Sequence, residues 1–210
     1  MIVTDILDYD KRKVLVQVDG YLVFPIYKSE VSKYRLIKDA ELSDAAYIDI
    51  VKVLLPKRVK LRAMQLLKKR SYTRCGLKRK LLEGRYPEEI VEEALDYVTS
   101  YGYLDDMRYA EEYIRCYCES RSKRRIIQDL SSKGVGAETA ERAWQCYEAE
   151  NRPVKEEAQI MELLRKKQFD PEQADYKERV RFMNFLYRKG YSMDSIRRCI
   201  GAGFTDEFCE

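Results

Sequence analysis

Two adjacent carboxylates, Asp105 and Asp106, lie in the stretch YGYLDDMRYAEEY (101–113). A pair of acids can hold a metal ion or share a proton transfer, so this pair is the first place to look for chemistry. On a helix, however, neighbouring residues project about 100° apart and do not converge on one ion. A different task suits the surrounding residues. Gly102 sits where a left-handed residue closes a helix, Tyr103 and Leu104 form a connector, and Asp105 or Asp106 starts the next helix. The carboxylate would accept backbone N–H bonds there and meet the positive end of the helix dipole. Gly102, Asp105 and Asp106 are therefore assigned as structural caps.

The remaining inventory for catalysis is thin. The chain has no histidine, and its six cysteines (75, 116, 118, 146, 199 and 209) form no C-x-x-C pair. A zinc site would need four well-spaced thiolates with no imidazole to help, so reduced cysteines are the expectation. Phosphate-binding loops of the G-x-x-x-x-G-K-[ST] or G-x-G-x-x-G type and the G-x-S-x-G elbow are missing from the sequence. No catalytic, cofactor-binding or metal-binding residue is assigned, and the expectation is a protein that is not an enzyme.

The basic residues carry a stronger signal. Formal net charge is only +4, yet Lys57 to Lys80 holds eleven Lys/Arg and no Asp/Glu. Lys68, Lys69, Arg70, Arg74, Lys78 and Arg79 belong to this block. RSKRR (121–125) supplies Arg121, Lys123, Arg124 and Arg125, followed by Lys133, and Arg188 and Lys189 recur further on. Such clusters suit an extended anionic partner, either nucleic acid or an acidic protein groove; a solvated helix face is the plainer alternative.

The elements that must position these residues are mostly helical. Residues 1–27 are the exception: VLVQV (14–18) and YLVFPI (21–26) flank Asp19-Gly20, a strong hairpin signal, and IVTDIL (2–7) is a third strand candidate. Ser43 and Asp44 can cap a helix running to Leu55, where Pro56 is expected to break or kink it. Beyond residue 57, Ile90, Val91, Ala94, Leu95 and Val98 form one apolar stripe, and Tyr109, Ala110, Tyr113, Ile114 and Tyr117 form another.

These helices repeat. LKRKLLEGRYPEEIVEEAL (77–95), IIQDLSSKGVGAETAERAW (126–144) and FMNFLYRKGYSMDSIRRCI (182–200) align without gaps. Leu81, Leu130 and Leu186 coincide, as do Tyr86, Val135 and Tyr191. Each window holds two helices joined at a basic/Gly turn, and an amphipathic helix precedes each, at about 57–70, 105–119 and 153–167. The expected fold is mainly α: tandem three-helix repeats forming an elongated curved array, with a small N-terminal element containing a β-hairpin. A compact bundle is the alternative. The expected divisions are 1–56 for the hairpin and helix, then repeats at 57–104, 105–150 and 151–210. The N-terminus lacks the pattern of a signal peptide, and no run approaches the ~20 apolar residues of a membrane span. A cytoplasmic monomer with no membrane partner is expected.

Three stretches then resemble a known family. RSYTRCGLKRKLLEGRYPEEIVEEAL, YGYLDDMRYAEEYI and RSKRRIIQDLSSKGV closely resemble the RecX regulatory proteins. That family's pattern has a Tyr-Ser/Thr pair before E-L-x-x-K-L, a G-L/Y-L-x-D junction, and R-I-x-x-E-L-x-x-K-G-I. Tyr72, Thr73, Leu77, Lys80 and Leu81 carry the first piece here. Gly102, Leu104, Asp105, Asp106, Tyr109 and Ala110 match the junction, and Arg125, Ile126, Asp129, Leu130, Lys133, Gly134 and Val135 the last. Gly76 replaces the usual Glu of the first motif, Asp129 is shorter than the usual Glu, and Ser122 lies near a common glycine. The resemblance implies a non-enzymatic modulator that binds in the groove of the RecA–single-stranded DNA filament. It further implies inhibition of recombinase, ATPase and coprotease activities by perturbing filament assembly, within DNA repair, homologous recombination and the SOS response. The expected partners are the RecA filament and single- or double-stranded DNA. A helical repeat protein that binds nucleic acid directly and competes for DNA is the alternative reading.

Overall fold

The structure is a computed structural model that describes residues 1–151 and 155–201. Three strands open the chain: β1 (Val3–Asp8), β2 (Lys13–Val18) and β3 (Leu22–Tyr27), paired antiparallel in the order β1-β2-β3. Asp19 (φ 49°) and Gly20 (φ 79°) make the β2–β3 turn, both on the left-handed side, and Tyr21 N–H donates to the Val18 carbonyl at 3.3 Å. Asp tolerates that conformation and glycine adopts it freely, so the Asp-Gly pair sets the hairpin. Val14, Val16 and Val18 alternate inward and are buried. Pro25, which has no N–H to donate, lies in the edge strand β3.

Helix α1 (Lys28–Lys33) follows the sheet directly, and Glu30 Oε2 accepts from Tyr27 N–H at its start. Ser43 Oγ caps α2 (Asp44–Ile48) by accepting from Ala46 N–H at 3.3 Å. Of the break or kink expected at Pro56, the break does not occur. A π-helical segment, Asp49–Leu54, runs straight into α3 (Leu55–Leu67), with Pro56 in the first turn of α3. Pro56 has no N–H to give, and its ring would crowd the carbonyl four residues back. The wider turn, in which Leu55 N–H bonds to the Ile50 carbonyl, carries the helical path past this obstacle.

Helices then come in threes. The first set is α3, α4 (Arg74–Leu82) and α5 (Glu88–Ser100); the second is α6 (Asp106–Tyr117), α7 (Lys123–Ser132) and α8 (Ala137–Glu150). The third is α9 (Glu156–Lys167), α10 (Tyr176–Arg188) and α11 (Met193–Ile200). The expected start of the third set, near 153, and Cys209 lie outside the described residues. Leu81, Leu130 and Leu186 are fully buried, one in each set, and Tyr86, Val135 and Tyr191 are buried at their shared position. The fold is thus mainly helical, built of three-helix repeats behind a small three-stranded sheet.

The chain divides into two compact units, Met1–Asp106 and Met107–Glu210. In the first, one continuous core joins the sheet (Val3, Val16, Phe24, Ile26) to the first helical set (Val59, Ala63, Leu77, Leu95). The second holds two cores, one around Ile114, Ile126, Leu130 and Trp144 and one around Ile160, Leu186, Tyr191 and Ile196. Ala110 and Ile114 are buried in the former, whereas Tyr109, Tyr113 and Tyr117 line its edge half-buried.

Candidate functional site

The acid pair sits at the start of α6. Asp106 is the first residue of that helix, and Asp105 precedes it on the surface. Asp106 Oδ1 accepts from the backbone N–H of Arg74 at 2.7 Å, at the first turn of α4. Thr73, almost fully buried, caps the same helix by accepting from Gly76 N–H at 2.9 Å. Two of the donors that a helix start leaves unpaired are therefore satisfied, one from far along the chain. Gly76 is the third residue of α4, where a glutamate would have completed a capping box with Thr73. Among the described residues, no group of three His, Cys, Asp or Glu side chains is placed to hold a metal ion.

Before Asp106, α5 ends at Gly102 (φ 68°), whose N–H donates to the Thr99 carbonyl at 2.8 Å while Tyr103 N–H reaches Val98 at 3.0 Å. This double bond pattern is the Schellman ending. It recurs at Gly134 and Gly190, which follow α7 and α10. In the first set, the aligned residue is Arg85, a non-glycine held at φ 59°. Its glycine, Gly84, stands one position earlier, because a Cβ there would come within 2.7 Å of the Tyr86 ring.

Several basic residues of the first unit are engaged within the fold. Arg74 pairs with Glu92 and Asp96 at 2.7 and 2.8 Å, and Lys78 with Glu88 and Glu92, both at 2.6 Å. The Lys78 hydrogen bond, joined by that of Arg74, holds the Glu92 carboxyl below the usual carboxylate range against a burial that pushes the other way. These bridges fasten α4 to α5, and their partly exposed pairs contribute about 0–1 kcal/mol each. Arg70 lies over the Tyr72 ring at 4.5 Å. Lys68, Lys69 and Arg79 are exposed and make no ion pair among the described residues.

In the second unit, Asp129 gathers three partners: Arg121 at 2.7 Å, Arg125 at 3.1 Å and the Tyr113 hydroxyl at 3.3 Å. The Arg121 guanidinium also covers the Tyr117 ring at 4.1 Å. Burial, and next the Asp129 charge, push the Tyr113 hydroxyl above its ordinary pKa. Lys123 bridges to Glu141 at 2.9 Å, and the Lys133 ammonium lies 5.5 Å from the Tyr113 ring.

Three cations of the second unit meet at one joint. Ser122 Oγ caps α7, accepting from Arg125 N–H, and donates to the Lys189 carbonyl at 2.7 Å. Gly190 lies so close to the start of α7 that a Cβ on it would sit 2.7 Å from Ser122 Oγ and 3.3 Å from Arg124 Cβ. Arg124, Arg188 and Lys189, all exposed, are thereby gathered where α7 meets the turn after α10. Arg124 leans toward the Tyr187 ring at 5.8 Å and Lys189 toward Phe185 at 5.1 Å. The buried amide of Gln159 adds a second tie from α9, donating to the Cys118 carbonyl and, at 3.2 Å, to that of Arg121.

A second basic feature escaped sequence reasoning. A cleft of about 930 Å³ opens between the sheet and the first helical set, lined by Lys13, Lys57, Arg58, Arg62 and Lys80 among others. The α3 residues at 57, 58, 61, 62 and 65 share a helix face, a spacing visible in the sequence. Only the fold shows that Lys13 and Tyr9 face the same space.

Against this geometry, three sequence models match in order: "RecX, first three-helix domain" at residues 60–97, "RecX, second three-helix domain" at 105–143, and "RecX, third three-helix domain" at 155–200. The regulatory protein RecX of Trichlorobacter lovleyi is 32% identical over 145 residues, spanning 68% of this chain and 94% of that protein. Its counterpart in Neisseria meningitidis serogroup C is 32% identical over 144 residues, spanning 69% and 90%. A crystal structure of regulatory protein RecX matches the fold with a TM-score of 0.60 at 23% identity, covering 95% of this chain and 98% of that one. RecX from Lactobacillus salivarius gives a TM-score of 0.56 at 21% identity, covering 70% and 94%.

Proposed function

The chain belongs to the RecX family of regulatory proteins, and from that premise we propose that it is a non-enzymatic, cytoplasmic regulator of the RecA recombinase. It binds the RecA–single-stranded DNA filament as a monomer and inhibits recombinase, ATPase and coprotease activity by perturbing filament assembly. The observation that carries this reading is the succession of three three-helix sets, each matched in order by its own RecX domain. Cations that remain exposed beside these sets, Lys68, Lys69 and Arg79 in the first unit and Arg124, Arg188 and Lys189 in the second, supply charge complementary to an anionic filament.

The ion pairs described above choose the variant to test. Reversing Arg121 or Arg125 would strand Asp129 and disturb α7, so a loss of activity there would be ambiguous. Arg124→Glu, Arg188→Glu and Lys189→Glu together leave that network intact. In the filament reading, this triple variant loses inhibition of RecA even where its binding to bare DNA survives. If inhibition instead falls only in proportion to bare-DNA affinity, competition for DNA replaces the filament reading.

A further inference from the structure

The cleft beside the sheet plays no part in the reading above. Its volume, about 930 Å³, is near the top of the range for sites that enclose small ligands, about 300–1,000 Å³. Its charged lining divides into committed and available groups. Arg58 is committed: it grips Glu30 at 2.6 and 2.9 Å and stacks over Tyr27 at 4.4 Å. The carboxylates are committed too. Asp10 accepts from the N–H groups of Arg12 and Lys13 at 2.7 and 2.8 Å, and Glu83 is paired with Lys80 at 2.8 Å. Lys13, half-buried, lies over the Tyr27 and Tyr86 rings at 5.5 and 5.9 Å, whereas Lys57 and Arg62, both exposed, have no ion pair among the described residues.

The uncharged lining is equally specific. Tyr9 is 38% exposed, yet its hydroxyl donates to the Glu83 carbonyl at 2.8 Å, which fixes the ring across the cleft from α4 to the end of β1. No aromatic or cationic group stacks on that ring among the described residues. Leu61, 52% exposed on α3, adds an aliphatic surface outside the core of the first unit. The cleft thus offers a tethered aromatic face, an aliphatic face and two available cations. A ligand that uses all of them has a planar, weakly polar ring joined to an anionic group.

We propose that this cleft binds a nucleotide unit, with the base against Tyr9 and Leu61 and the phosphate at Lys57 and Arg62. A purely acidic peptide such as oligoglutamate would use the cations but leave Tyr9 and Leu61 idle, and paired bases inside a duplex cannot offer a face to the ring. The same chemistry can arrive as a free nucleotide or as an unpaired strand. The proposal does not depend on the RecA reading.

Fluorescence anisotropy of the full chain with a labelled oligothymidylate tests it, with competition by dTMP, unlabelled oligothymidylate and oligoglutamate. Lys57→Glu with Arg62→Glu should flatten the slope of log affinity against log salt by about 1.4, the value for two single-strand phosphate contacts. Tyr9→Ala should weaken binding ~10-fold through lost stacking, and Tyr9→Phe should lose less. Lys68→Glu with Lys69→Glu, outside the cleft, should leave the cleft's response to Tyr9→Ala intact. Competition by dTMP that the cleft variants abolish assigns a free nucleotide; competition by the oligomer alone assigns a strand. Both outcomes support the site. Cleft variants that bind like the parent overturn it, as does oligoglutamate competing as well as oligothymidylate. Loss that follows charge while Tyr9→Ala and Tyr9→Phe change nothing also overturns the nucleotide assignment. Far-UV circular dichroism confirms folding, and if Tyr9→Ala does not fold, Leu61→Ser takes its place as the probe of the base contact.

Discussion

At the residue scale, Asp106 changes meaning once its partner is known. It begins α6 and at the same time accepts the Arg74 N–H at the start of α4. Asp106→Ala should therefore lower the stability of the first unit by about 1 kcal/mol, read from urea denaturation, while Asp106→Asn keeps an acceptor and most of that stability. Glycines follow the same logic of local demand. Gly190 combines a left-handed backbone with contact against Ser122, so Gly190→Ala should cost about 1–3 kcal/mol. Arg85 holds the same backbone without being glycine, and Arg85→Gly should stabilise by about 1 kcal/mol. The sequence displayed the Gly turns openly, because turn residues act on their neighbours. It could not display the Asp106–Arg74 bond, which joins residues 32 apart.

At the element scale, the hairpin and the helical sets were legible because Asp-Gly turns and 3.6-residue stripes are local signals. Pro56 was not. A proline reads as a helix break or kink, and only the packed structure shows a π-helical segment absorbing it while Leu55 and Pro56 stay buried. The basic residues divide in a similar way. Their clustering was visible, but their commitment to Glu92, Asp96 or Asp129 depends on which helices lie side by side. The turn after α10 also yields a pH prediction. Burial, reinforced by the Glu156 charge, pushes the Tyr191 hydroxyl up to about 12. Its unfolded value is about 10, so the folded value is the higher one. The contribution of the neutral phenol to stability is complete below about pH 10 and is lost as pH rises toward about 12. Urea midpoints of the parent should fall across that window, and Tyr191→Phe should fall less steeply.

At the scale of the whole molecule, the described residues of two compact units carry three helical sets and one sheet. The repeat frame, set on Leu81, Leu130 and Leu186, was legible end to end, and its match to three RecX domains in order gives the family. The cleft beside the sheet was not legible, because its lining runs from Tyr9 to Tyr86 and only folding brings those residues together. Regulation of RecA is read out by RecA's single-stranded-DNA-dependent ATPase during titration with this protein, with filament length followed by electron microscopy. ATP hydrolysis should fall and filaments should shorten at or below one protein per RecA. Saturating protein that leaves both ATPase rate and filament length unchanged would contradict it.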